Sequence, residues 1–288
     1  GIQKLLSTKI QIVCNKVLLQ FFMYMINLIC KRIVDINHIS VSRKGCFDLC
    51  QQQYKFRYHL KVETDVEEPF YFTYGKIVHR IAEKYVDYKG KKEIGEVAND
   101  VLLGKLLLDE YNNSFAPPLP PEYRKRFPSH IRSVKNLVDQ MGFEGETEYK
   151  FTYDLDPPNG KNVTGVIDRL IIKNDKCFII DYKTTKKGRW RKNSRTIKSD
   201  LQLRCYSKVV QKEFGIKAKN IKSALYYLEG SDLIGACYSE DSLQRAEDDL
   251  LEVYNVIQQT NPDEVWGNVG DHCKRCDYRK ICPFYSLT

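Results

Sequence analysis

The sequence contains no apolar run long enough to cross a membrane. The strongly apolar stretch Val17–Cys30 (VLLQFFMYMINLIC) is only 14 residues long and is interrupted by Gln20 and Asn27, whereas a helical span takes about 20 residues. A docked or buried helix is expected there instead. The run ends in Cys30-Lys31-Arg32 with no small-residue cleavage site behind it, so a secretory leader is not expected either. Internal repeats and low-complexity tails are also missing, which removes solenoid and disordered-tail architectures. Ten cysteines in 288 residues are too few and too unevenly placed for a small disulfide scaffold. They fit a reducing, cytoplasmic compartment, where clustered cysteines more often bind metal than pair. With 42% hydrophobic and 29% charged residues a sizeable core is available and global disorder is excluded. Lys and Arg total 46 against 37 Asp and Glu, a net charge of +9, which is compatible with a nucleic-acid partner but does not require one.

What is present falls into a helical half followed by a strand-rich half. Ser42–Tyr58 reads as a helix carrying Cys50, with aromatics just behind it. Phe70–Tyr88 has Ile77, Val78, Ile81 and Tyr85 at helical spacing and places His79 on that helix. Further helices are expected around 97–109 and 129–141, separated by the proline-rich loop Ala116–Pro121. The pattern then changes. Phe143–Leu155, Val163–Lys173 and Lys176–Thr184, the last two joined by Asn174-Asp175, predict a three-stranded antiparallel meander. A helix over 200–214, strands near 221–228 and 233–238, and a long amphipathic helix over 240–260 complete the reading.

Chemistry concentrates at Asp168 and at Asp181-Tyr182-Lys183. Adjacent strands joined by a tight turn would bring the two carboxylates together, and strand alternation puts Asp181 and Lys183 on one face. Two like charges held close persist where something positive fills the gap, and hard oxygen ligands suit Mg²⁺ or Mn²⁺. Lys183 could then orient a water, help deprotonate it, or stabilise negative charge on a phosphate. The plainer alternative makes Asp168 and Asp181 strand-end residues paired with Arg169 or Lys183.

The context of these residues resembles the PD-(D/E)XK nuclease superfamily, and within it the RecB-like exonuclease branch. Gly75-Lys76-Ile77-Val78-His79 matches its G-x-x-x-H helix, Glu144, Glu146 and Glu148 its glutamate strand, and Gly165-Val166-Ile167-Asp168-Arg169 its G-x-x-D-R element. Asp181–Thr184 matches D-Y-K-T, and Gln202–Tyr206 the following Q-x3-Y. The resemblance covers most of residues 40–285. It implies an α/β, restriction-endonuclease-like core with a mixed central sheet flanked by helices. It also implies His79, Asp168 and Asp181 as metal ligands, Lys183 as catalytic, and Gln202 and Tyr206 as shaping the site or contacting DNA. Taken singly, His79 would read as a packed core histidine, and the alternating glutamates as a solvated face. Ordinary packing four residues apart explains Gln202 and Tyr206 nearly as well.

A second constellation is Cys273-x2-Cys276-x5-Cys282. A tetrahedral site needs a fourth ligand, with His272 the local candidate for zinc and Cys50 the remote thiolate. The resemblance, here to iron–sulfur nucleases such as AddB nuclease domains and CRISPR-associated RecB-like exonucleases, implies a [4Fe–4S] cluster on Cys50, Cys273, Cys276 and Cys282. Gln51 stands where that family often has proline, and Cys46 lies one helical turn from Cys50. The remaining cysteines, Cys14, Cys30, Cys46, Cys177, Cys205 and Cys237, read as buried small hydrophobes.

A third feature is the basic run 183–198, which has no acidic residue and holds Trp190 among Lys186, Lys187, Arg189, Arg191 and Lys192. It reads as a DNA-tracking loop, or more plainly as a solvated one. The organisation expected is an apolar extension over 1–37, a nuclease core over 38–260 with a helical insertion at about 89–141, and an iron–sulfur segment over 261–288 closing onto Cys50. The expected activity is metal-dependent hydrolysis of DNA, exonucleolytic on single-stranded or frayed ends, in recombination, repair or CRISPR-type processing, with protein partners from such systems and no membrane. A structure-specific endonuclease and a catalytically idle DNA-binding module are the alternatives.

Overall fold

The computed structural model describes residues 36–64, 70–90 and 120–285. The apolar stretch 17–30, Cys14, Cys30 and the helix expected at 97–109 lie outside them. The chain divides into two compact units, Val66–Leu251 and a smaller one made of the chain up to Asp65 and from Glu252 onward.

In the larger unit, helix α1 (Phe70–Gly90) turns Tyr74, Ile77, Val78, Ile81 and Tyr85 inward at the 3.6-residue spacing that buries one stripe. Helix α2 (Pro121–Met141) begins earlier than the sequence suggests, because Pro121 occupies the first turn, where its missing N–H is no loss. It stops at Gly142, whose φ of 80° suits glycine. Strands β1 (Glu146–Asp156), β2 (Lys161–Lys173) and β3 (Lys176–Lys183) form the expected antiparallel meander. The β2–β3 turn is tight, with Asn174 in the left-handed region at φ 55° and Lys173 opposite Lys176. Helix α3 (Leu201–Phe214) is capped by Asp200, whose carboxylate accepts the Leu203 N–H at 2.9 Å, and ends at Gly215 with φ 66°. It carries the chain to β4 (Ile221–Tyr227), which lies parallel to β3, while β5 (Asp232–Ala236) returns antiparallel to β4. Helix α4 (Glu240–Gln259) follows.

The result is a mixed α/β architecture with a mixed sheet flanked by helices. Helices α1 and α2 pack on each other, on Ile171, Ile180, Tyr182 and Tyr226 of the sheet and on Leu228 just past β4, so α2 belongs to the core of this unit. Helix α3 meets β4 through Ser207 Oγ and Ser223 Oγ at 2.7 Å. The α4 carboxylate of Glu247 pairs with Lys208 at 2.9 Å. Among the described residues no helix is long and apolar enough to cross a membrane.

The smaller unit joins two distant stretches of chain. A helix over Val41–Leu49 is capped by Ser40, and the chain then breaks at Cys50, which is extended at φ −163° and ψ 112°. A short helix, Gln51–Tyr54, and a wide turn, Lys55–His59, follow. The continuous helix expected over 42–58 is therefore interrupted at the cysteine itself. Asn268 donates to the Leu49 carbonyl at 2.9 Å, which uses one of the carbonyls left free by the helix end. Arg57 pairs with Asp277 at 2.8 Å, and the Phe56 and Tyr278 rings stack at 5.3 Å.

Candidate active site

The register that sets Arg169 opposite Ile180 carries Asp168 and Asp181 to neighbouring positions one residue further along β2 and β3. On the other side of β2, Thr147 faces Arg169 and Tyr149 faces Ile167, so Glu148 lies across from Asp168. Helix α1 supplies His79, whose Nδ1 stands 3.2 Å from Asp168 Oδ1. Ligand atoms of His79, Glu148 and Asp168 all lie within 4.8 Å of one another, and they form the one such group of three or more among the described residues. The other Asp168 oxygen accepts the Tyr182 N–H at 2.6 Å, which fixes the carboxylate in place.

Asp181 is not in that group. It is buried, and its Oδ2 meets Lys183 Nζ at 2.6 Å, outside good hydrogen-bond angles. Lys183 in turn donates to Gln202 Oε1 at 3.3 Å, and Gln202 Nε2 donates to Tyr206 Oη at 2.7 Å. The two α3 residues thus hold the lysine through a chain of hydrogen bonds. His79, Glu148 and Lys183 line an open cleft of about 580 Å³, together with Tyr71, Phe72 and Lys76 of α1.

The electrostatics are those of a crowded charge cluster. Burial by itself would depress the His79 pKa, but the charge and hydrogen bond of Asp168, with Asp181 behind, outweigh it and hold it at about 9. Glu148 is pushed above the ordinary carboxylate range by burial and then by Asp168. Burial pushes Asp181 upward too, with Lys183 only partly offsetting it. Lys183 is desolvated, yet the neighbouring Asp181 raises its pKa, so it stands as an ammonium. The set of one imidazole and two carboxylates, with like charges facing each other, is chemically suited to a hard divalent cation.

Glu148 is the residue that sequence reasoning named but could not single out. Alternation gave Glu144, Glu146 and Glu148 equal standing, but Glu144 pairs with Lys173 at 3.3 Å on the exposed surface. Glu148 alone lies across from Asp168 and adopts φ 49°, a left-handed conformation unusual for a non-glycine strand residue. That distortion leaves no mark in the sequence.

The basic run is less free than its sequence implies. Acidic residues from elsewhere in the fold reach it: Lys192 pairs with Asp200 at 2.6 Å and Lys186 with Glu122 at 3.2 Å. Arg191 is nearly buried. It donates to the Thr185 and Glu229 carbonyls at 3.1 and 2.6 Å, pairs with Asp232 at 2.8 Å and lies 4.6 Å over the Tyr227 ring. Arg189 stacks 4.7 Å over Trp190, which is 70% exposed.

In the smaller unit, Cys50, Cys273, Cys276 and Cys282 line one pocket together with His272 and Tyr278. Cys46 is buried beside it but does not line it, and burial raises its pKa to about 11. Cys177 and Cys205 are buried as expected, whereas Cys237 is exposed, because it lies just past the end of β5.

The chain matches the PD-(D/E)XK nuclease superfamily over residues 38–283, and it belongs to that superfamily. Its fold is shared with the crystal structure of a candidate exonuclease from Eubacterium rectale, at 14% identity and a TM-score of 0.51, covering 90% of this chain and 93% of that one. The structure of SSO0001 aligns at 15% identity with a TM-score of 0.35, over 81% of this chain and 94% of its own. No curated protein matches the chain.

Proposed function

We propose that this nuclease is a divalent-metal-dependent DNA exonuclease acting on single-stranded or frayed ends, with a [4Fe–4S] cluster in its smaller unit. The observation that carries the catalytic part is the convergence of His79, Glu148 and Asp168 beside the Asp181–Lys183 pair. His79, Glu148 and Asp168 would hold Mg²⁺ or Mn²⁺, with Asp181 at hand. When bound, the cation supplies Lewis-acid stabilisation and lowers the pKa of water. The chain's own residues do the rest. Lys183, held protonated by Asp181 and steadied by Gln202 and Tyr206, places a fixed positive charge where a phosphate gains negative charge. Exposed Lys187, Arg189 and Trp190 next to the β3 end suit backbone attraction and base stacking.

The cluster assignment is supported by the shared pocket of Cys50, Cys273, Cys276 and Cys282. His272 Nε2 also stands 3.8 Å from Cys273 Sγ, so zinc is the competing occupant, and iron and zinc analysis of the purified protein decides between them. Recombination, repair or CRISPR-type DNA processing is the setting such an activity fits. The test is digestion of end-labelled single strands and of closed circular DNA with Mg²⁺ and with Mn²⁺. Shortening from ends with circles left intact supports the exonuclease; linearised circles favour the endonuclease alternative.

A further inference from the structure

Helix α1 opens with the sequence Phe70-Tyr71-Phe72-Thr73-Tyr74. Two of its four aromatics turn inward: Tyr74 is 1% exposed, and Phe70 packs on Tyr123 at 4.9 Å. The other two do not. Tyr71 is 53% and Phe72 51% exposed, and their rings lie side by side, centroids 4.5 Å apart and tilted 37°. Leaving two large rings in water gives no packing gain, and helix propensity does not ask for them, since aromatics are middling helix formers. Both rings line the same cleft as His79, Glu148 and Lys183.

We propose that Tyr71 and Phe72 form a stacking platform that holds an unpaired base of the DNA strand being cleaved, and so select single-stranded ends over duplex. This inference rests on the DNA-nuclease reading above. The geometry sets the scale. Seven to eight residues of helix separate the rings from His79, roughly 11–12 Å along the axis at about 1.5 Å per residue. Stacked nucleotides advance about 3.4 Å each and splayed ones more, so a strand with its scissile phosphate near His79 would place a base no more than about three nucleotides away against the rings. Every base has a π-face, so such a platform reads no sequence. Bases inside a duplex are stacked on each other and cannot reach it, whereas a frayed or single-stranded end can. The tilted pair suits a splayed base resting on one ring and flanked by the other. Tyr71 and Phe72 are positioning residues, distant from the reacting atoms.

The test uses the full chain and a Tyr71→Ala/Phe72→Ala double variant, with a Tyr71→Phe/Phe72→Tyr variant as the conservative control. Fluorescence anisotropy in chelator measures binding to a labelled oligo(dT) 15-mer and to a blunt hairpin duplex. The alanine variant should bind the single strand about 10- to 100-fold more weakly. Its affinity for the duplex and the slope of log affinity against log salt should hold, because stacking releases few counterions. With metal present its KM for single strands should rise while kcat changes little, and the control should behave like wild type. Unchanged single-strand affinity, or equal loss on both substrates, overturns the platform while leaving the nuclease reading intact. Wild-type protein that binds neither substrate overturns both.

Discussion

Glu148 offers a test in which stability and activity should move in opposite directions. Its backbone sits at φ 49°, a region that disfavours L-residues by about 1–2 kcal/mol. Its carboxylate is also held across the strand pair from Asp168, whose charge is one cause of its raised pKa. Glu148→Ala removes the charge but keeps the strained conformation. Glu148→Gly removes both, against an added unfolded-state entropy of about 0.5–1 kcal/mol. In metal-free buffer the glycine variant should therefore be about 0.5–1 kcal/mol more stable than the alanine variant by urea denaturation. Both should be at least as stable as wild type, because both relieve repulsion with Asp168. Calorimetric Mn²⁺ titration should show weakened binding in both, and phosphodiester cleavage should fall by about a hundredfold or more. A glycine variant less stable than the alanine variant, or either variant binding Mn²⁺ like wild type, would refute the reasoning.

Further outcomes follow from other parts of the molecule. His130 is fully buried with Nδ1 2.7 Å from Tyr74 Oη, and burial lowers its pKa to about 4. The unfolded chain thus binds the proton more readily than the folded one, and stability should fall as pH drops from about 6.5 towards 4, by up to about 3 kcal/mol. His130→Gln should lose that share of the acid sensitivity in parallel unfolding titrations, and an unchanged difference between pH 7 and pH 4.5 would count against it. Anaerobically purified protein should be brown with about four irons per chain. Cys50→Ser should bleach it and lower Tm, since the cluster would close a loop of about 220 residues, worth on the order of 5 kcal/mol, whereas Cys46→Ser should keep the colour. Stoichiometric zinc instead of iron would overturn the assignment. Arg191→Ala should destabilise the fold by about 1–3 kcal/mol through its lost charged hydrogen bonds. Arg189→Ala should leave the fold intact and reduce the single-strand salt slope by about 0.7, and the reverse pattern would show that the roles are misassigned.

The meander, the α3 helix and the order of the motifs were legible because strand alternation and helical periodicity are written in local sequence. The same alternation placed Asp181 beside Lys183, and the Asn174-Asp175 turn foretold that Asp168 would neighbour Asp181. Features that depend on distant chain were not legible. Glu148 stands out from Glu144 and Glu146 only through its position across from Asp168 and its twisted backbone. The run 183–198 has no acidic residue of its own, yet Glu122, Asp200, Glu229 and Asp232 arrive from other elements to neutralise part of it. Arg191, which reads as a DNA contact, is tied into the fold for that reason. The break at Cys50 was hidden as well, because 42–58 has good helical composition and its interruption is completed by Asn268, more than two hundred residues away.

The central claim is that the cluster around Asp168 cleaves DNA with a divalent cation. The most direct measurement follows an end-labelled single strand with wild type and Asp168→Asn, in Mn²⁺ or Mg²⁺ and in chelator. The account predicts progressive shortening by wild type with metal, none in chelator, and at least about a hundredfold slower shortening by the variant. Cleavage that persists in chelator, or an Asp168→Asn variant as active as wild type, would contradict it.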